Sequence, residues 1–199
     1  CENGFGVSPQ SGSFLGGPCS SGQIGLIGWD LSDVGNEIGS AQLALTAYQV
    51  VGAQPGVPVV FELFAPTTHT WTENGSVSPG SSGDTVATAS VLLTNTIGPQ
   101  PVVFGGGDAN ALGAYFKSLR TSGFANSATV GVRISGGCSL STYVSFNDRE
   151  DSGELPDGAA ETEPDLLLFT PTAVSLSFLN ASGENANSNV PVVLVIGVL

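Results

Sequence analysis

Positive charge is almost missing from this chain. Four Lys and Arg residues stand against 17 Asp and Glu, for a formal net charge of -13. Gripping a phosphate backbone takes clustered cations, so the composition argues against nucleic acid as a partner. It argues against an anionic membrane surface for the same reason. Methionine is absent and histidine occurs once, at His69. Cys1, Cys19 and Cys138 are the only cysteines, and no two have metal-ligand spacing. No apolar run approaches the ~20 residues that a membrane-spanning helix needs, so no membrane span is expected. Charged residues make up 11% of the chain, where about 25% is usual. No signal-peptide pattern is present, and the chain reads as a mature, processed form.

What is there instead is glycine, 28 residues of it, with abundant Ser, Thr, Val and Asn. That profile fits a secreted, β-rich protein with many turns. Residues 1–22 are rich in Gly, Ser and Pro and read as an irregular N-terminal arm, with a short strand expected near 5–7 or 13–15. Residues 23–31 read as a first core strand, with Ile24, Leu26 and Gly28 on its inner face. From 38 to 51 the alternation of Ala41, Leu43, Leu45 and Ala47 against Gln42, Ala44, Thr46 and Tyr48 predicts a half-buried strand. Val59, Phe61 and Leu63 give the next strand its inner face. Further strands are expected over 84–94 and 100–104.

One helix is predicted, over about 108–120. Asp108 is its N-cap candidate. Leu112, Tyr115, Phe116 and Leu119 form one apolar stripe at i, i+3, i+4 and i+7. Lys117 and Arg120 complement the dipole at its end, and Gly123 stops it. Residues 128–135 and 139–146 then read as a hairpin-like pair around Gly136 and Gly137. Residues 166–169 read as a central strand closed by Pro171. Val174, Leu176 and Phe178 pattern a last strand over 173–179. About ten short strands with one helix predict an antiparallel β-sandwich of jelly-roll type over 23–179. Residues 180–189 form a polar spacer, and 190–199 a hydrophobic donor-type strand.

The order of several motifs resembles the DNRLRE-domain family. Gly-Leu-Ile-Gly-Trp-Asp-Leu-Ser at 25–32 is followed by Ile-Gly-Ser-Ala-Gln-Leu-Ala-Leu at 38–45. Thr70-Trp71-Thr72-Glu73 follows the third strand, and Phe104 leads into the helix. Val144-Ser-Phe-Asn-Asp-Arg-Glu150 is followed by Pro164-Asp-Leu-Leu-Leu168. The likeness covers about residues 23–170. It implies a secreted, calcium-tolerant jelly-roll module of the kind found on surface proteins and polysaccharide lyases, some of them carbohydrate-binding. Residues 1–22 offer no clear counterpart to the family's opening strand, and the chain runs on past the family's usual end.

Asp148, Glu150, Asp151, Glu154 and Asp157 put hard oxygens close together in a loop that holds eight of the 17 acids, a candidate calcium site without EF-hand spacing. Asp30 and Asp33 are a second, weaker candidate. No other cofactor is expected. Trp71, in a Thr- and Asn-rich loop, is the candidate for stacking on a carbohydrate. Core packing explains Trp29, Tyr48 and Tyr143 at least as well. His69 has Glu73 four residues on, but no nucleophile-elbow pattern exists and no carboxylate pair is marked. No catalytic residue is therefore assigned, and an enzyme is not expected. Asn74-Gly-Ser76 and Asn180-Ala-Ser182 fit glycosylation sequons. Cys1, Cys19 and Cys138 allow one disulfide with the pairing open; Cys1 also resembles the lipid-modified first residue of a bacterial lipoprotein.

The most unusual stretch is the last. Val190, Val192, Val193, Leu194, Val195, Ile196, Val198 and Leu199 are aliphatic and no charge interrupts them. Strict alternation is absent, so a strand made from them is apolar on both faces and calls for burial on both. Left as an exposed edge it would aggregate. The spacer before it reaches at most about 33 Å, enough to fold back or to cross to a neighbour. The expectation is a non-enzymatic, self-assembling extracellular subunit, of fibre, pilus-like or surface-layer type, joined head to tail to copies of itself by strand complementation. The alternative is a secreted carbohydrate-binding module, with a polysaccharide partner, whose tail folds back in cis.

Overall fold

The computed structural model describes residues 13–16, 24–67, 69, 83–139, 142–146, 164–171, 178–179 and 185–186. Among these residues eleven strands occur in this order: β1 Ser13–Gly16, β2 Gly25–Trp29, β3 Ser40–Val51, β4 Val59–Phe64, β5 Thr85–Val91, β6 Ile97–Phe104, β7 Ala128–Gly136, β8 Tyr143–Phe146, β9 Asp165–Phe169, β10 Phe178–Leu179 and β11 Asn185–Ala186. A single α-helix among the described residues, α1, spans Ala109–Thr121. All strand pairs are antiparallel. The first sheet runs β1-β8-β3-β6, with β9 also paired to β3; the second runs β2-β7-β4-β5. A small ladder joins β10 to β11. The protein is therefore mostly antiparallel β-structure with one short helix, as the composition and periodicities predict.

The inner faces of the two sheets meet in one apolar cluster. From the first sheet it takes Ala41, Leu43, Leu45, Val102, Phe104 and Phe146, all essentially without exposure. Phe61, Leu63, Val130, Val132 and Ile134 answer from the second. Phe61 meets Phe146 edge-on, with centroids 5.6 Å apart, a favoured geometry for aromatic pairs. The period-2 alternation that picks out these side chains in β3, β4 and β7 is a direct result of the pleat.

In β2 it is Ile27 and Trp29 that join the cluster, not Ile24, Leu26 and Gly28. Leu26 is buried too, but on the opposite face, where it pairs with Gly131. Every residue of β2 is buried, so the strand lacks the polar alternation that would reveal its inner side. The hairpin expected around Gly136 and Gly137 does not form. β7 lies in the second sheet and β8 in the first, so the connection crosses between sheets. Gly137, at φ +66°, makes that turn where a Cβ would lie 1.8 Å from the Pro58 carbonyl oxygen.

The helix covers one end of the cluster. Leu112, Phe116 and Leu119 are buried, and Trp29 meets Phe116 edge-on at 5.7 Å. Tyr115 donates its hydroxyl hydrogen bond to the Thr129 carbonyl. α1 packs chiefly on β3, because Gly113 faces the strand with no side chain between. A Cβ there would stand 2.5 Å from the Ser40 Cα. Asp108 occupies the N-cap position, but its carboxylate makes no capping bond. Instead Oδ2 accepts from the backbone N–H and the hydroxyl of Thr88, at 2.9 and 3.2 Å, tying the helix start to β5. Arg120 reaches past the helix end to donate to the carbonyls of Val34 and Ser32. Lys117 lies 3.7 Å from Glu37.

Candidate functional site

β3 is twice as long as most of its neighbours, and on one side two strands share it. β8 covers its second half, with Ala47 opposite Phe146 and Val51 opposite Tyr143. β9 covers its first half, with Ala44 opposite Asp165 and Ser40 opposite Phe169. The two short strands thus lie end to end in one row. Phe146 ends β8 and Asp165 begins β9, facing positions on β3 only three residues apart, or about 10 Å.

The two halves of the row differ on their outer side. β8 pairs there with β1. β9 has β3 on one side and, among the described residues, no strand on the other. Among the described residues it is therefore an edge, where its run of leucines suggests a central strand. Leu166 and Leu168 are half-buried against the core cluster. Leu167 and Phe169 point the other way and remain 49% and 48% exposed. Val103 of β6, two strands across, is 44% exposed beside Ala44. The Gly39 N–H donates to the Phe169 carbonyl at 2.8 Å, which holds the end of β9 on its sheet. An antiparallel strand turns alternate backbone N–H and C=O groups to each side, so on this side β9 turns donors and acceptors that no strand among the described residues pairs, beside exposed apolar side chains.

A second cluster lies on the outer face of the second sheet. Arg133 donates from Nε and from a terminal nitrogen to the two carboxylate oxygens of Glu62, at 2.9 and 3.0 Å. Thr85 also donates to Glu62. The hydrogen bonds from Arg133 hold the Glu62 carboxyl below its usual range, and the same contact raises the Arg133 pKa. The guanidinium lies 4.9 Å from the ring centre of Phe64. That ring fills the space over Gly131, where a Cβ would be 2.2 Å from it. The pair is a cross-strand lock between β4 and β7. The sequence marks both residues as outward-facing, but only the register makes them partners.

Trp29, weighed as a sugar platform, is 4% exposed in the core, and so is removed from that role. Asp30 accepts from the Ser32 N–H at 2.8 Å, and hydrogen bonds from the Ser32 side chain and then its backbone lower the Asp30 pKa. It is not gathered with Asp33 into a ligand set: among the described residues no three His, Cys, Asp or Glu come together as a metal site. His69 stacks on Phe124 at 4.5 Å; its Nδ1 is buried without a hydrogen-bond partner, and burial lowers its pKa. A cleft of about 290 Å³ between the end of β3 and the start of β6 is bordered by Gln49, Val51, Asn95, Thr96 and Ile97, with no titratable side chain in it. Cys138 is disulfide-bonded. Trp71, Glu73, the acids Asp148, Glu150, Asp151, Glu154 and Asp157, both sequons, Cys1, Cys19 and the segment 190–199 lie outside the described residues. Among those described, no helix is long and apolar enough to cross a membrane. No protein-family model and no curated protein matches the chain.

Proposed function

We propose that this protein is a non-enzymatic extracellular structural subunit that assembles head to tail by β-strand complementation. In this reading the two antiparallel sheets form a jelly-roll β-sandwich, like the DNRLRE-domain modules its motifs resemble. The outer edge of β9 is the acceptor, and the segment Val190–Leu199 of a neighbouring copy is the donor. The observation that carries the proposal is the side of β9 that has no strand partner among the described residues, in a row whose other half, β8, is paired on both sides.

The chemistry of the two segments is complementary. A strand added to β9 would meet its unpaired backbone groups. On one face it would extend the exposed pair Leu167 and Phe169; on the other it would continue the row of Leu166 and Leu168 beside the core. A donor in that position needs apolar side chains on both faces, which is the pattern of residues 190–199. The acceptor and donor are different surfaces, so the contact is heterologous and propagates into a filament.

The test is a charge placed on the acceptor. Lysines on a strand edge oppose edge-to-edge pairing. Leu167 and Phe169 are half-exposed, so Leu167→Lys together with Phe169→Lys leaves the core intact. Sedimentation velocity is expected to show polymers of the unaltered chain and monomers of the double variant, with matching circular dichroism. Polymers of unchanged size from a folded double variant would remove β9 as the acceptor.

A further inference from the structure

We infer that the disulfide of Cys138 is made with Cys19, leaving Cys1 as the unpaired thiol. Cys138 is disulfide-bonded, and only Cys1 and Cys19 can be its partner within the chain. The register of β1 against β8 separates the two. Gly16 lies opposite Tyr143 and Ser13 opposite Phe146, so β1 runs toward the β7–β8 connection as its residue numbers rise. Cys138 sits in that connection, just after β7 ends at Gly136.

Chain length bounds the geometry without any assumption about the intervening residues. Cys19 is three residues beyond Gly16 and therefore within about 11 Å of it. Cys1 is twelve residues before Ser13, at the far end of β1, and would have to return along the whole strand. Loop-closure scaling alone favours a three-residue over a twelve-residue connection by about eightfold. The Cys138 end is also held in place. Thr142 and Ser139 both donate hydroxyl hydrogen bonds to the Gly52 carbonyl, at 2.7 and 3.2 Å, and the Ser139 N–H donates to Thr142 Oγ1 at 2.7 Å. Cys138 itself packs against the core cluster. A half-buried cysteine in the connection toward which β1 runs is placed to fasten that four-residue strand.

The bond forms by thiol–disulfide exchange. The two thiols lose two protons and two electrons, and a disulfide supplied by the compartment, from an oxidoreductase or a small-molecule dithiol couple, is reduced to two thiols. The pairing thus requires an oxidising compartment. Non-reducing digestion of the unaltered protein with trypsin and a glutamate-specific protease tests it. Cleavage after Glu2, Glu37, Arg133 and Arg149 separates all three cysteines. Mass spectrometry is expected to find the 3–37 peptide joined to the 134–149 peptide, and to find the pair separated by reductant. A 1–2 peptide joined to 134–149, or a 134–149 peptide that is free without reductant, would overturn the assignment.

Discussion

Replacing Gly113 by alanine sets two effects of opposite sign against each other. In the interior of a helix, alanine is favoured over glycine by about 1 kcal/mol. If only the helix mattered, the variant would be more stable. But α1 lies on β3 with nothing between them at this position. The new Cβ would stand 2.5 Å from the Ser40 Cα and 2.8 Å from its N and C, all of them backbone atoms that cannot rotate away. Ordinary contact begins near 3.4 Å, so the helix must withdraw by about 1 Å, a gap that forfeits a quarter to a half of the dispersion attraction across it. Leu112, Phe116 and Leu119 are carried with it out of a close-packed site. Overpacking of this kind costs ~1–3 kcal/mol, and a rigid obstacle belongs at the upper end. Subtracting the helical gain leaves a net loss of about 2 kcal/mol, or roughly 4–8 °C in Tm for a chain of this size. Urea unfolding followed by tryptophan fluorescence measures it, since Trp29 rests on Phe116 of the same helix. A variant as stable as the parent, or more stable, would refute the packing argument.

Two further expectations concern ionisable groups. Arg133 depresses the Glu62 carboxyl, so this pair contributes stability above the unfolded value of 4.5 and loses it as pH falls through the lower folded value. Glu62→Gln should therefore cost about 1–2 kcal/mol at neutral pH, and the gap between variant and parent should close in acid; a gap independent of pH would contradict the assignment. Burial raises the Tyr115 hydroxyl above its ordinary value of 10.0, so its contribution is present below that pH and is lost as pH rises beyond it. Tyr115→Phe should cost about 1 kcal/mol at neutral pH through the lost bond to Thr129, with a smaller alkaline loss of stability than the parent, read from unfolding curves at pH 7 and above pH 10.

Strand existence was legible wherever one face is buried and the other wet. In β3 and the first four residues of β4 the buried set is the one that alternation names, because the pleat imposes it; in β7 that set is buried too, but Thr129 and Gly131 between its members are buried with it. β2 is buried throughout, so its inner face had to come from the second sheet's register. α1 was legible from its stripe, yet the role of Asp108 was not. Capping chemistry points to the helix backbone, whereas Thr88 of β5 competes for the same carboxylate and wins. The β7–β8 link looked like a hairpin because Gly136 and Gly137 invite one; which sheet a strand joins is decided by long-range packing that no local pattern records. The same holds for β9. Four consecutive apolar residues suggest a strand covered on both sides, and two of the four, Leu167 and Phe169, are half-exposed on a strand with one partner among the described residues. The proposed acceptor thus emerged only from pairing, while the proposed donor was visible from its composition.

The central claim is strand donation between copies, and negative-stain electron microscopy of the purified chain beside one lacking residues 190–199 tests it most directly. The account predicts filaments or sheets from the full chain and dispersed, folded particles from the shortened one. Assembly that persists without residues 190–199, or a full chain that stays monomeric, would contradict it.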